Sequence, residues 1–128
     1  MQNQTQEKSS SQNKWLNIPS SMQACIQNCT DCYQVCSNII APCLSKGGKH
    51  ADSEHIKLLQ DCAKICETSA NFMIRDSKFH AQTCGACAAV CLACAESCEA
   101  LKDDEMMQAC AKICRTCLKS CEEMSKMQ

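Results

Sequence analysis

The cysteines of this chain fall at alternating steps of three and four residues, and that spacing limits what it can fold into more than any other feature. Cys25, Cys29, Cys32 and Cys36 step by four, three and four, and Cys43 follows after seven with Ile39 in the skipped position. Cys84, Cys87, Cys91, Cys94 and Cys98 step by three, four, three and four. Cys110, Cys114, Cys117 and Cys121 repeat the pattern, and Cys62 with Cys66 makes a shorter run. At about 3.6 residues per turn, such steps return each side chain to one face of a helix, the a/d seam of a heptad. All sixteen cysteines lie on seams of this kind. No stretch shows the period-two alternation of a strand.

Four seams predict four helices, and the punctuation between them agrees. Pro19 precedes Ser20, and Gln23 stands three residues on, as in a capping box, so a first helix is expected from Ser20 to about Leu44, with Pro42 bending its last turn. The stretch Ser45 to Asp52 with Gly47 and Gly48 reads as a loop, and Asp52 or Ser53 can cap a second helix to about Arg75. A break at Asp76 and Ser77 starts a third through Leu101, and Asp103 or Asp104 caps a fourth ending near Met127. Helices of roughly 22 to 25 residues are about 33 to 37 Å long, which suits an all-α, antiparallel up-down-up-down four-helix bundle. Residues 1–19 are expected to form a flexible tail, polar over its first thirteen residues, with a short apolar segment at Trp15, Leu16 and Ile18 that plugs one end of the bundle formed by 20–128.

Counting seam positions along antiparallel helices stacks them into layers. Met22, Met73, His80 and Met124 come level at one end, followed by Cys25, Ser69, Cys84 and Cys121. Two four-cysteine layers come next: Cys29, Cys66, Cys87 and Cys117, then Cys32, Cys62, Cys91 and Cys114. Cys36, Leu59, Cys94 and Cys110 follow, then Ile39, His55, Cys98 and Met107, with Cys43 and Leu101 beyond. The expected object is a tube of thiols with a soft-ligand mouth at Met22, Met73, His80 and Met124. The opposite end, with Ile39, Leu101 and the loop after Pro42, is expected to be the more closed of the two. His55 reads as a satisfied polar residue near a bundle end, and His50 as a loop residue.

Cysteine can be a small core residue, but ordinary cores need Leu, Ile and Phe volume at a and d. Here Leu58, Ile65, Phe72, Ile26, Val90 and Ile113 flank the seams instead. A disulfide scaffold is short, secreted and rich in turns, whereas this chain of 128 residues has only two prolines and three glycines. No apolar stretch near the N-terminus can serve as a signal-peptide core, so a cytosolic location with reduced thiols is expected. The net charge of −1, with dispersed Lys and Arg, gives no sign of nucleic acid or membrane binding.

Thiols in this number point to a soft metal, Cu(I), zinc or iron–sulfur clusters. Four thiolates on zinc leave two negative charges in the core, which costs several kcal/mol per ion, whereas one Cu(I) per thiolate leaves none. Cu(I) also accepts two or three sulfur ligands, so a continuous seam suits a chain of copper ions. The loop-borne runs that hold iron–sulfur clusters are missing. Thioether and imidazole at Met22, Met73, Met124 and His80 are suitable transient ligands for entering Cu(I). The C-x-x-C pairs lie inside helices without a βαβ setting, which argues against an oxidoreductase and against catalysis generally. Zinc buffering of a metallothionein kind, or a metallochaperone delivering single ions, are the competing functions.

The runs Cys25-x₃-Cys29-x₂-Cys32-x₃-Cys36, Cys62-x₃-Cys66, Cys84-x₂-Cys87-x₃-Cys91-x₂-Cys94-x₃-Cys98 and Cys110-x₃-Cys114-x₂-Cys117-x₃-Cys121 resemble those of the bacterial copper storage proteins over roughly residues 20 to 127. The resemblance implies a bundle that stores many Cu(I) ions along its core and assembles as a homotetramer. It is to the cytosolic branch, whose copper would pass to or from a copper chaperone or copper-requiring enzymes. Leu59 and Ser69 interrupt the second seam at two heights.

Overall fold

The computed structural model describes residues 17–127, and the polar N-terminal segment with Trp15 and Leu16 lies outside them. Four helices make up the fold: α1 Ser20–Lys46, α2 Ser53–Ile74, α3 His80–Glu99 and α4 Glu105–Ser125, with a short 3₁₀ turn at Gly48–Ala51. Each helix packs on its neighbours in sequence, and α1 also packs on α4, which closes a square. Cross-helix sulfur pairs show the antiparallel order directly. Cys25 meets Cys121 while Cys36 meets Cys110, and Cys66 meets Cys87 while Cys62 meets Cys91.

The helix ends follow local chemistry, with departures from expectation: α1 runs to Lys46 rather than Leu44, α3 spans His80–Glu99 rather than starting beside Ser77 and running through Leu101, and the start of α1 is capped differently. Asp52 caps α2 by accepting from the Glu54 amide at 3.1 Å, and Asp104 caps α4 by accepting from the Met107 amide at 3.0 Å. At α1 the expected Ser20 box is not made. Extended Pro19 takes the cap position, Ser20 already lies in the first turn, and the Gln23 amide group reaches back to the Ile18 carbonyl at 2.6 Å. Pro42 sits on an exposed stretch of α1, which continues one turn past it to Lys46. Gly47 then turns the chain at a φ of 71°, a left-handed conformation that suits glycine.

Every cysteine is fully buried. Ile26, Ile65, Val90 and Ile113 pack around this thiol core as a half-buried second ring. Ala63 and Ala70 on α2, Ala88 and Ala95 on α3, and Ala111 on α4 are buried as well. Their small side chains let the helices approach, since interaxial distance follows the size of the contact residues. Helix α3 is the one described helix long and apolar enough to cross a membrane by length and composition, an apolarity that comes from its cysteines and alanines. Arg115 binds Glu99 through two hydrogen bonds of 2.8 and 2.9 Å and so ties α4 to α3.

Candidate metal centre

The seams bring their thiols together as the register predicts. Cys32 stands 3.6 Å from Cys62 and 3.8 Å from Cys114, and Cys62 stands 3.7 Å from Cys91, which assembles one four-thiol layer. In the layer beside it Cys66 is 3.6 Å from Cys87 and 3.8 Å from Cys117, and Cys117 is 3.7 Å from Cys29. Contacts along single helices, such as Cys87 to Cys91 at 3.8 Å and Cys117 to Cys121 at 3.9 Å, stitch the layers together. With metal–sulfur bonds of about 2.3 Å, sulfur separations of 3.5 to 4.0 Å correspond to angles of roughly 100 to 120° at a shared ion, the range of trigonal to tetrahedral coordination.

Five groups of thiols lie close enough to hold an ion, and they overlap. Cys25, Cys84 and Cys121 share Cys121 with the group Cys29, Cys87, Cys117 and Cys121. That group shares Cys87 and Cys117 with the next, which shares Cys66 and Cys91 with a fourth, and the fourth shares Cys32 and Cys62 with the group that ends at Cys36 and Cys114. Nineteen ligand positions are thus filled by twelve cysteines. Separate tetrahedral zinc sites need four thiolates each, so sharing on this scale favours bridged, low-coordinate Cu(I).

Protons in the metal-free core are shared along the same contacts. Hydrogen bonds from Cys121 first, then Cys29 and Cys84, favour the thiolate of Cys25, while Cys121 itself is raised by its bonds to Cys117 and Cys25. Burial opposes the charged form at each of them. Cys43 is different: burial and then the Asp104 charge push its thiol up, and no thiol hydrogen bond contributes.

Among the residues expected at the soft mouth, Met22, Met73 and Met124 are buried. His80 is the first residue of α3, half-buried, and its Nδ1 is enclosed with no hydrogen-bond partner among the described residues. Ser69, in the gap of the second seam, turns its hydroxyl away to the Thr83 carbonyl at 3.0 Å. Leu59 fills the other gap and is fully buried.

At the opposite end, which the sequence led us to expect to be the more closed one, Ile39, Cys43 and Met107 are buried. Lys46 and His50 both bind the Asp104 carboxylate at 2.7 Å, which draws the connecting turn towards the start of α4. These bonds, with the Met107 amide, hold Asp104 well below the usual carboxylate range. Beside this network a cavity of about 330 Å³ opens between the start of α2 and the end of α3, lined by Lys49, Asp52, His55, Ser97, Ala100 and Leu101. His55 is buried, its Nδ1 is 2.7 Å from Ser97 Oγ, and its Nε2 is 3.7 Å from the Cys43 sulfur. Met107 Sδ lies 3.9 Å from the same sulfur. Burial and then the nearby His50 lower the His55 pKa, which favours the neutral ring. The seam positions of His55, Met107 and Cys43 were the signal in the sequence for this cluster.

Residues 18–126 match the family model described as copper storage protein. A solved protein of Nitrosospira multiformis is 41% identical, with a TM-score of 0.79 over 84% of this chain and 97% of that one. The Cu(I)-bound copper storage protein BsCsp3, of Bacillus subtilis, is 37% identical, with a TM-score of 0.76 over 83% of this chain and 99% of that one. A cytosolic copper storage protein from Streptomyces lividans, in a structure of its loading with five coppers, is 32% identical, with a TM-score of 0.76 over 84% and 94%.

Proposed function

This chain belongs to the copper storage protein family, and from that premise we propose how its residues do the storing. It holds multiple Cu(I) ions in the core of a four-helix bundle, and its role is storage rather than catalysis. The observation that carries the reading is the unbroken chain of overlapping thiol groups from Cys25 to Cys36. All sixteen cysteines are assigned as ligands, each giving up its proton so that one Cu(I) per thiolate leaves the core neutral.

At the Cys25 end, Met22, Met73, Met124 and His80 are assigned as soft donors that pass Cu(I) to Cys25, Cys84 and Cys121. The buried methionines, and a His80 nitrogen with no partner among the described residues, support that role. A cytosolic setting is supported by sixteen free thiols and by the Streptomyces relative. Assembly as a homotetramer, and exchange of copper with a chaperone or copper-requiring enzymes, complete the proposal. Sedimentation of the reduced protein tests the tetramer.

Anaerobic titration of the reduced protein with Cu(I) tests the storage reading. Uptake should approach one ion per thiolate, near the sixteen cysteines of the chain. Saturation after one or two ions would favour a chaperone, and preferential uptake of zinc in direct competition would favour a zinc buffer.

A further inference from the structure

Electroneutrality separates Cu(I) from zinc in a thiolate core, but it does not separate Cu(I) from a larger soft ion of the same charge, such as Ag(I). Bond length does. Three sulfurs in a trigonal array around one ion lie √3 bond lengths apart, which is about 4.0 Å for bonds of about 2.3 Å. Neighbouring sulfurs of this core stand 3.5 to 4.0 Å apart, at or below that distance. An ion with longer bonds needs its sulfurs farther apart, so the residues that fix the helix spacing also fix which ion fits. Building on the storage reading, we propose that Ala88 and Ala95 of α3 and Ala111 of α4 are positioning residues that hold the thiol rows at the copper spacing and so select Cu(I) over larger monovalent soft ions.

These residues lie where α3 meets α4. Ser97 and Thr83 stand on the flank of α3 that meets α2, where they bond His55 and Ser69. Ala88 and Ala95 stand on the other flank of the same cysteine seam, towards α4. On α4, Ser120 bonds Asn28 of α1 at 3.2 Å and Ile113 lines a cavity between those two helices, so Ala111 falls on the flank towards α3. All three alanines are buried, and on the same side a Cβ built on Gly85 would stand 3.7 Å from Ser125 Cβ. Interaxial distance follows the size of the contact residues, so this side of the bundle is narrow. The α1–α4 side carries Asn28, Val35 and Ile113 instead and leaves a cavity of about 260 Å³.

The narrow side governs most of the ion-binding groups. Cys84 bonds Cys121 across it, Cys87 bonds Cys117, and Cys94 and Cys98 bond Cys110. Three of the five groups of thiols able to hold an ion draw sulfurs from both α3 and α4. A larger side chain at 88, 95 or 111 would lever these rows apart, which lengthens the sulfur separations without removing a single donor. The alanines thus act on the ion only through the thiols that they space.

The test uses the full chain, reduced, with Cu(I) and Ag(I) in direct competition, read as the ratio of the two ions bound. Ala88→Leu and Ala95→Leu should keep a high capacity and shift that ratio several-fold towards Ag(I). Loaded with copper alone, both variants should show fewer sulfur neighbours per ion by X-ray absorption. Val35→Leu, on the wide side, should keep the wild-type ratio, which separates spacing from a general loss of stability. Overpacking costs stability, so Ala88→Val is the smaller step that keeps the test informative if leucine prevents folding. A wild-type ratio in the folded alanine variants would overturn the proposal and leave storage standing, while a wild-type capacity of one or two Cu(I) ions would overturn storage itself. An equal shift in Val35→Leu would overturn the assignment of selectivity to the alanine side.

Discussion

Replacing Leu59 by cysteine should add copper capacity while weakening the metal-free protein. Leu59 is fully buried, one seam step from Cys62, at the height of Cys36, Cys94 and Cys110. Cys36 and Cys110 stand 4.0 Å apart, and Cys94 hydrogen-bonds with both. A cysteine here completes a third four-thiol layer. Truncating a buried leucine to alanine costs about 2.7 to 5 kcal/mol, and sulfur refills roughly half of the lost volume, so L59C should cost the metal-free fold about 1.5 to 2.5 kcal/mol. For a domain of this size that is a fall of roughly 5 to 15 °C in Tm. Under saturating Cu(I) the gap should narrow or reverse, because the new thiolate adds a ligand that binds only the folded state. The assays are anaerobic titration for copper per chain and thermal melting by circular dichroism with and without copper, with L59A as the control that loses stability and gains no ion. Unchanged capacity in a folded L59C protein with seventeen titratable thiols would refute the assignment of this layer as metal-binding.

Copper uptake should release protons. Cys84, for example, is pushed up to about 12 against the lowering bond from Cys121, through its bond to Cys25 and its burial. Thiols raised in this way are neutral at pH 7, so apparent affinity should fall as pH falls, by about tenfold per pH unit for each proton displaced, and affinity independent of pH in chelator competition would show preformed thiolates. D104A should cost about 0.5 to 2 kcal/mol by removing the α4 cap and the anchor of His50 and Lys46. Because the Asp104 pKa is depressed in the fold, its contribution is complete above about pH 4 and is lost as pH falls through the folded value, so the urea midpoints of variant and wild type should converge in acid. Changing Met22, Met73 and Met124 together to leucine should leave capacity nearly unchanged and slow copper exchange. A wild-type rate in that variant would refute the assignment of the mouth to the Met22, Met73, His80 and Met124 end. The metal-free reduced chain should already give a helical far-UV spectrum, and a random-coil spectrum would refute a preformed bundle.

The middle of the bundle was legible in the sequence because one rule governs it. Steps of three and four fix a helix face, and antiparallel neighbours then fix the layers, so contacts such as Cys32 to Cys62 and Cys66 to Cys87 follow from counting. The ends obey no period. The pairing of His50 with Asp104 joins residues 54 apart through a loop whose path depends on its turns. Counting at equal heights placed Cys43 one step beyond His55 and Met107, yet in the structure its sulfur meets both of them. The buried alanines were missed for another reason. They lie beside the cysteine seams, where a small residue becomes meaningful only once the neighbouring helix is in place.

A thiol core has to satisfy two packings, one without metal and one with it. Sulfur separations of 3.5 to 4.0 Å are ordinary contact between thiols, so the metal-free core is filled. The same separations span a bridging ion at angles of roughly 100 to 120°. Loading can therefore exchange S–H hydrogen bonds for copper–sulfur bonds while the backbone stays where the second ring of Ile26, Ile65, Val90 and Ile113 holds it. Leucine at a and d would have given a more stable bundle with no room for ions, and fewer cysteines would have given isolated sites. Shared thiols at contact distance let one scaffold stand empty, partly filled or full, which is the property that a store of variable content requires.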